Sequence, residues 1–268
     1  MNKSLALVTG AAGGIGFEVA QRLIGRGYQV IAHERTLELA DDAATRLGGD
    51  TLAVGYDLTD RTAVASLVSK VEGEWANDLE IVVANAGVVI PGDVADLRPG
   101  QIDMQLDVML RSAMHLTAGA ARVFAARNRG HILATVSMGG IIPLPGSATY
   151  AAAKAGLRAY LAALNAELRG TKVHVSGIYP SAVDTPMLRH EATHDGSLLN
   201  WVGKVYSASD VADCYERALD KKRLEVYLPY GDSITSKLVQ CFPGILPPLL
   251  PLLNRIGRKT RDKWMATW

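Results

Sequence analysis

Tyr150 and Lys154 stand four residues apart, so in a helical segment a phenol and an ammonium share one face. A free phenol ionises near pH 10 and is a poor base in neutral water. A cation about 4 Å away is worth about 4 kcal/mol at an effective dielectric of about 20. The pair therefore predicts that Lys154 acidifies Tyr150 into a general acid/base near neutral pH. Ser137 lies thirteen residues upstream. Gly139, Gly140, Pro143, Pro145 and Gly146 bend the intervening loop enough to return Ser137 to that helix. A second cluster is Thr9-Gly10-Ala11-Ala12-Gly13-Gly14-Ile15-Gly16. Glycines between a strand and a helix let backbone N–H groups approach an anion at the helix N-terminus. A third, His190-Glu191-Ala192-Thr193-His194, has the H-E-x-x-H spacing of zinc proteases, which works only on a helix. Residues 186–206 read as polar and irregular, and Asp195-Gly196-Ser197 begins no further histidine motif. The match is read as coincidence, and no metal site is expected. His33, His115, His131 and His174 are scattered and read as surface or core residues.

These groups need a scaffold. Short apolar runs at 5–8, 29–32, 52–56, 80–84, 131–136, 172–179 and 226–229 read as strands. Helical patterns fill the gaps, notably 17–26, 63–75, 102–126 and 150–168. The alternation predicts an α/β protein with a doubly wound parallel sheet of about seven strands, helices on both faces. Ligands of such sheets bind at the carboxyl ends of the strands. At 268 residues and 49% hydrophobic content the chain can bury one large core, which excludes disorder. Lys plus Arg is 28 and Asp plus Glu is 27, so no charge excess calls for nucleic acid. Two cysteines, Cys214 and Cys241, make no disulfide or metal pattern. With no signal-peptide architecture at the start, a cytoplasmic protein is expected.

The glycine spacing, Asn85-Ala86-Gly87, Ser137 and Tyr150-x-x-x-Lys154 occur in that order. Together they resemble the short, single-domain branch of the short-chain dehydrogenase/reductase family, over about residues 5 to 230. The resemblance implies a Rossmann fold, a nicotinamide cofactor, and interconversion of an alcohol and a ketone. It implies cofactor contacts from Gly10, Gly14, Ile15 and Gly16 in the turn, and from Asp57 and Leu58 at the adenine. It adds Asn85, Ala86, Gly87, Pro180, Val183 and Thr185, the last near the nicotinamide amide. Lys154 would also hold the nicotinamide ribose, and Ser137 the substrate oxygen while charge develops. Glu34, ending the second strand run, falls where NAD-selective members carry an acid. A 2′-phosphate there meets a like charge, so NAD is expected over NADP, although Arg35 beside it pulls the other way. Ala84 and Ser181 depart mildly from the family pattern. Met109 stands where the family has an Asn serving a proton relay, a task no thioether performs. Ser112, one turn on, is a candidate replacement.

Apolar positions near the strand ends predict a lipophilic substrate, contacted by Met138, Leu144, Met187, Leu188 and Trp201. Val89, Ile90, Ile141, Leu198 and Leu199 are further wall candidates. The chain divides into residues 1–233, binding and catalytic, and 234–268, an extension. The uncharged run 238–254 contains four prolines and makes a poor bilayer span. Arg255, Arg258, Lys259, Arg261 and Lys263 against Asp262 give a local charge of +4, with Trp264 and Trp268 alongside. The extension is expected over the cleft or at a subunit interface, with a membrane surface as the alternative. The family implies a homodimer or homotetramer. A catalytically weak NAD-binding sensor or scaffold is the competing function, suggested by Met109 and the tail. A sugar-nucleotide epimerase is disfavoured, because no substantial C-terminal substrate domain follows.

Overall fold

The computed structural model describes residues 4–268. Seven strands form one sheet: β1 Leu5–Thr9, β2 Gln29–Glu34, β3 Leu52–Gly55, β4 Leu79–Ala84, β5 Gly130–Thr135, β6 Val173–Pro180 and β7 Glu225–Leu228. Their order is β3-β2-β1-β4-β5-β6-β7, every pair parallel. β1 is buried at all five positions, as a central strand covered on both faces must be.

Helices cover the two faces. α1 Gly14–Gly25, α2 Leu37–Leu47 and α8 Ala208–Lys221 contribute Val19, Leu23, Ala43, Val211 and Tyr215 to one core. On the other face α3 Arg61–Glu72, α5 Ser112–Arg127 and α6 Ala148–Glu167 contribute Leu67, Phe124, Leu157 and Leu161. Pro99–Leu106 forms α4. The long helix expected over 102–126 is interrupted: Asp107–Arg111 is a π-helical turn between α4 and α5. Such a turn widens a helix by one residue and recurs at functional sites.

Two readings of irregular chain are corrected. Residues 186–206 contain α7, Pro186–Thr193, and a 3-10 turn at Leu198–Trp201. Thr185 caps α7 and Pro186 supplies a fixed φ at its first position. The proline-rich tail is helical too, as α9 Tyr230–Cys241 and α10 Leu246–Met265 with a 101° bend between them. Pro247 and Pro248 lie in the first turn of α10, where a missing N–H costs nothing. Among the described residues no single helix is long and apolar enough to cross a membrane.

The strand order reverses between β1 and β4, and their carboxyl ends open a crevice there. The backbone closes tightly beneath it. A Cβ on Gly16 would lie 1.9 Å from the Gly10 carbonyl oxygen, whereas one on Gly13 would meet nothing within 4 Å. Gly16→Ala is therefore expected to lower stability by about 2 kcal/mol or more, and Gly13→Ala to change it by about 0.5 kcal/mol or less. Urea unfolding of both variants checks this; equal midpoints would show that the turn relaxes freely.

Candidate active site

One cavity of about 800 Å³ runs along the carboxyl ends of the strands. At one end it is lined by Gly10, Gly14, Ile15, Glu34, Arg35, Asp57 and Leu58. Asn85, Ala86 and Gly87 line its middle, with Ser137, Tyr150 and Lys154 beyond them. Pro180, Val183, Thr185, Met138, Leu144, Met187 and Leu188 complete the expected set. Two expected residues do not line it. Gly16 lies under the turn, where its role is the close approach just described. Trp201 is fully buried and packs with Leu188 and Trp264, away from any substrate. Of the further wall candidates, Leu199 lines the cavity; Val89, Ile90, Ile141 and Leu198 do not. Thr235, Val239, Leu246 and Leu253 of the tail do line it, unforeseen because nothing local in the sequence says where a tail folds back.

A polar knot holds the strand ends together. Asn85 Nδ2 donates to the Thr9 carbonyl at 3.0 Å, and its Oδ1 accepts from Thr135 Oγ1 at 2.7 Å. Thr9 Oγ1 accepts from the N–H groups of Asn85 and Ala86. The Thr135 carbonyl in turn accepts from Lys154 Nζ at 2.8 Å. Above this knot Gly10 and Gly14 take φ of +69° and +52°, which L side chains rarely adopt. α1 starts at the cavity with no side-chain cap and no acidic residue in its first turn. Open N–H groups and a positive dipole end fit the pyrophosphate of a dinucleotide. Glu34 Oε1 accepts from Ala12 N at 2.8 Å, so its carboxylate sits against the glycine turn. Asp57 Oδ1 accepts from the backbone and hydroxyl of Thr59, fixing its rotamer.

The chemistry-bearing groups converge, but not with the electrostatics the spacing predicts. Lys154 Nζ lies 5.7 Å from the Tyr150 ring centroid and is turned toward the Thr135 carbonyl. Burial lowers its pKa to about 8. Desolvation pushes the Tyr150 phenol up to about 12, against a hydrogen bond with Ser137 that lowers it; the Glu191 charge raises it further. Burial thus opposes ionisation of Tyr150, so the shift runs upward where the spacing predicts a downward one, and Lys154 is directed at the Thr135 carbonyl. Ser137 follows β5 at φ +120°, ψ 153°, a region costly for any residue with a Cβ, and its Oγ accepts from Gly139 N. Such strain, of order 1–3 kcal/mol, is characteristic of positions held for function. Met109 is buried in the π-helical turn, near Gly87. Ser112 cannot replace it, since its hydroxyl donates to the Val108 carbonyl within the helix.

Glu191 was legible only as the centre of a coincidental motif. The exposed rings of His190 in α7 and His194 just after it stack at 4.1 Å, and His194 Nδ1 is engaged by Thr193 Oγ1 and the His190 carbonyl. Glu191 turns the opposite way, into the cavity wall. Its Oε1 accepts from Asn200 Nδ2 at 3.1 Å and Ser147 Oγ at 3.4 Å. It thereby joins α7 to the loop before Tyr150. Among the described residues no His, Cys, Asp or Glu group of three could hold a metal.

Comparison with known proteins agrees with this geometry. The family description "short chain dehydrogenase" matches residues 4–196. A 1-deoxy-11-beta-hydroxypentalenate dehydrogenase of Streptomyces avermitilis is 33% identical over 85% of each chain. An NADP-dependent 3-hydroxy acid dehydrogenase of Salmonella typhi is 31% identical over 67% of this chain and 72% of its own. The crystal structure of a bulky-bulky ketone specific alcohol dehydrogenase from Comamonas testosteroni superposes with a TM-score of 0.76. It is 25% identical, over 92% of this chain and 94% of that one. The chain belongs to the short-chain dehydrogenase/reductase family of NAD(P)-dependent oxidoreductases.

Burial raises the Glu191 pKa to about 7, with the bonds from Asn200 and Ser147 opposing. Its folded-state pKa lies above the ordinary 4.5, so its contribution is intact below 4.5 and is lost as pH rises through about 7. Glu191→Gln keeps an acceptor without the charge. Its melting temperature is expected to match wild type in acid and exceed it above neutrality by about 2–4 °C, or about 1 kcal/mol. Thermal scans across that range check it; a constant difference would contradict a titrating buried carboxyl.

Proposed function

We propose that this chain interconverts a lipophilic secondary alcohol and its ketone, with Tyr150 as general acid/base. One observation carries the reading: Ser137, Tyr150 and Lys154 meet in a cavity whose farther walls are apolar. A bound nicotinamide supplies or accepts the hydride at the substrate carbon. Ser137 holds the substrate oxygen, aimed by its constrained backbone. Tyr150, neutral in its desolvated site, donates the phenolic proton to that oxygen in ketone reduction and recovers it in alcohol oxidation. Lys154, fixed by the Thr135 carbonyl, would hold the cofactor ribose and place positive charge near the phenolate that forms. Gly10, Gly14 and Ile15 take the pyrophosphate, Asp57 and Leu58 the adenine, and Asn85 to Gly87 with Pro180, Val183 and Thr185 the nicotinamide side.

Met138, Leu144, Met187 and Leu188 support a lipophilic substrate, and tail residues close the same space. Thr235, Val239, Leu246 and Leu253 act as its lid. The names of the Streptomyces avermitilis and Comamonas testosteroni relatives run in the same direction. Glu34 supports NAD over NADP, since a 2′-phosphate would meet its carboxylate. The NADP-dependent Salmonella typhi relative makes this the point most in need of measurement. Met109 favours one competing reading, a catalytically weak NAD-binding sensor or scaffold.

Two experiments decide between these. Tyr150→Phe is expected to lower kcat by about 10²–10⁴-fold on a bulky ketone, while dinucleotide binding, read by fluorescence, is unchanged. Unaltered turnover would overturn the assignment, and wild type that binds dinucleotide but turns over no alcohol or ketone would favour the sensor. NADH is expected to exceed NADPH in kcat/KM, and Glu34→Ser to shift that ratio toward NADPH by about tenfold, about 1.4 kcal/mol. An initial NADPH preference would reverse the NAD assignment alone.

A further inference from the structure

The tail helices have two dissimilar apolar faces. The inner one belongs to the cavity: Val239, Leu246 and Leu253 line it, and Trp264 packs on Trp201. The outer one covers nothing. On α9 Ile234 and Leu238 are 63% and 54% exposed, and Phe242 beyond the helix is 58% exposed. On α10 Leu249, Leu252 and Ile256 repeat at helical spacing and are all exposed, Leu252 at 59%. The same side of α10 continues into Lys259 and Lys263, one and two turns further on, both exposed. With Arg255 and Arg258 these cations make no ion pair among the described residues, whereas Arg261 is tied to Asp262.

An apolar stripe passing into a cluster of unpaired cations matches a surface that is apolar inside and anionic at its rim. A second copy of this chain fits worse. A two-fold contact sets the patch against its own copy, which supplies apolar surface but no anion for the unpaired cations. We propose that the outer face of α9 and α10 docks on an anionic lipid surface. The lipid-facing wall is then also the wall of the substrate cavity, so a lipophilic ketone can pass from bilayer to active site behind one layer of helix. Only that delivery rests on the lipophilic-substrate reading; the docking stands without it.

Sedimentation of the full chain with two kinds of vesicle tests this: phosphatidylcholine alone and equimolar phosphatidylcholine–phosphatidylglycerol. Wild type is expected to pellet with the anionic vesicles, and high salt to weaken binding. Phe242→Ser/Leu252→Ser and Lys259→Glu/Lys263→Glu are each expected to weaken it by about tenfold or more. All four residues lie outside the cavity lining, so melting temperature and turnover of a water-soluble ketone should stay at wild-type values. Absence of vesicle binding by folded wild type would overturn the proposal. So would binding that ignores both double variants, or a dimer, seen by analytical ultracentrifugation without lipid, that Phe242→Ser/Leu252→Ser dissolves.

Discussion

The hydrogen-bonded junction of Thr9, Asn85 and Thr135 is the constraint on which both ends of the cavity depend. Three strand ends would splay at the point where the sheet order reverses. The junction fastens them with side-chain bonds to backbone and with one between the Thr135 and Asn85 side chains, all partly shielded from water. On one side it seats Gly10, whose carbonyl leaves no room for a side chain at Gly16. On the other, Thr135 offers its carbonyl to Lys154 and continues into Ser137 two residues later. In the proposed mechanism, phosphate recognition and proton transfer are therefore not independent modules. A disturbance at Asn85 would shift the glycine turn and the lysine together.

Desolvation, rather than pairwise charge, sets the resting protonation of this site. Tyr150 and Lys154 are both penalised for ionising, so each is drawn toward its neutral form. Glu191 in the opposite wall is held back in the same way. The phenol and the Glu191 carboxyl are biased toward their neutral forms, while Lys154, at about 8, still carries its charge at neutral pH. A developing oxyanion then meets a cation and a hydroxyl already in place, in a wall partly shielded from solvent. This argues for an acid role of the phenol as the default and for phenolate as a state that must be stabilised by what binds.

All seven strands and most helices were legible because their signals are local: a parallel sheet writes each strand as an unbroken apolar run. Tyr150 and Lys154 were legible as neighbours because helical spacing alone decides that they share a face. Their electrostatics were not, because the direction of Lys154 is set by Thr135, nineteen residues away in sequence. Glu191 failed for a related reason. Its motif looked exposed and irregular, yet Thr185 and Pro186 start a helix there and tertiary packing turns the carboxylate inward. Trp201 erred the other way: a large apolar residue near a cleft reads as wall, and only the return of α10 with Trp264 makes it core. The π-helical turn around Met109 leaves no trace in the apolar pattern, since one inserted residue is absorbed within the periodicity of a long helix.

The tail shows why composition alone could not choose between lid and lipid contact. Both readings require apolar residues, and prolines argue equally against a spanning helix in each. What separates them is phase around the helix axis. Residues 246, 253, 257 and 264 form one buried or half-buried stripe, and residues 249, 252 and 256 form an exposed stripe about a quarter-turn around the axis. A helix needed only as a lid has no reason to carry the second stripe, because exposed leucine and isoleucine give nothing to folding. Lys263 in the last turn complements the helix dipole, but Arg255, Arg258 and Lys259 lie before that turn and make no ion pair among the described residues. The first stripe is accounted for by the cavity and by Trp201. The second, left facing solvent, is the stripe that the proposed lipid contact would cover, since a bilayer surface is apolar within and bordered by negative charge.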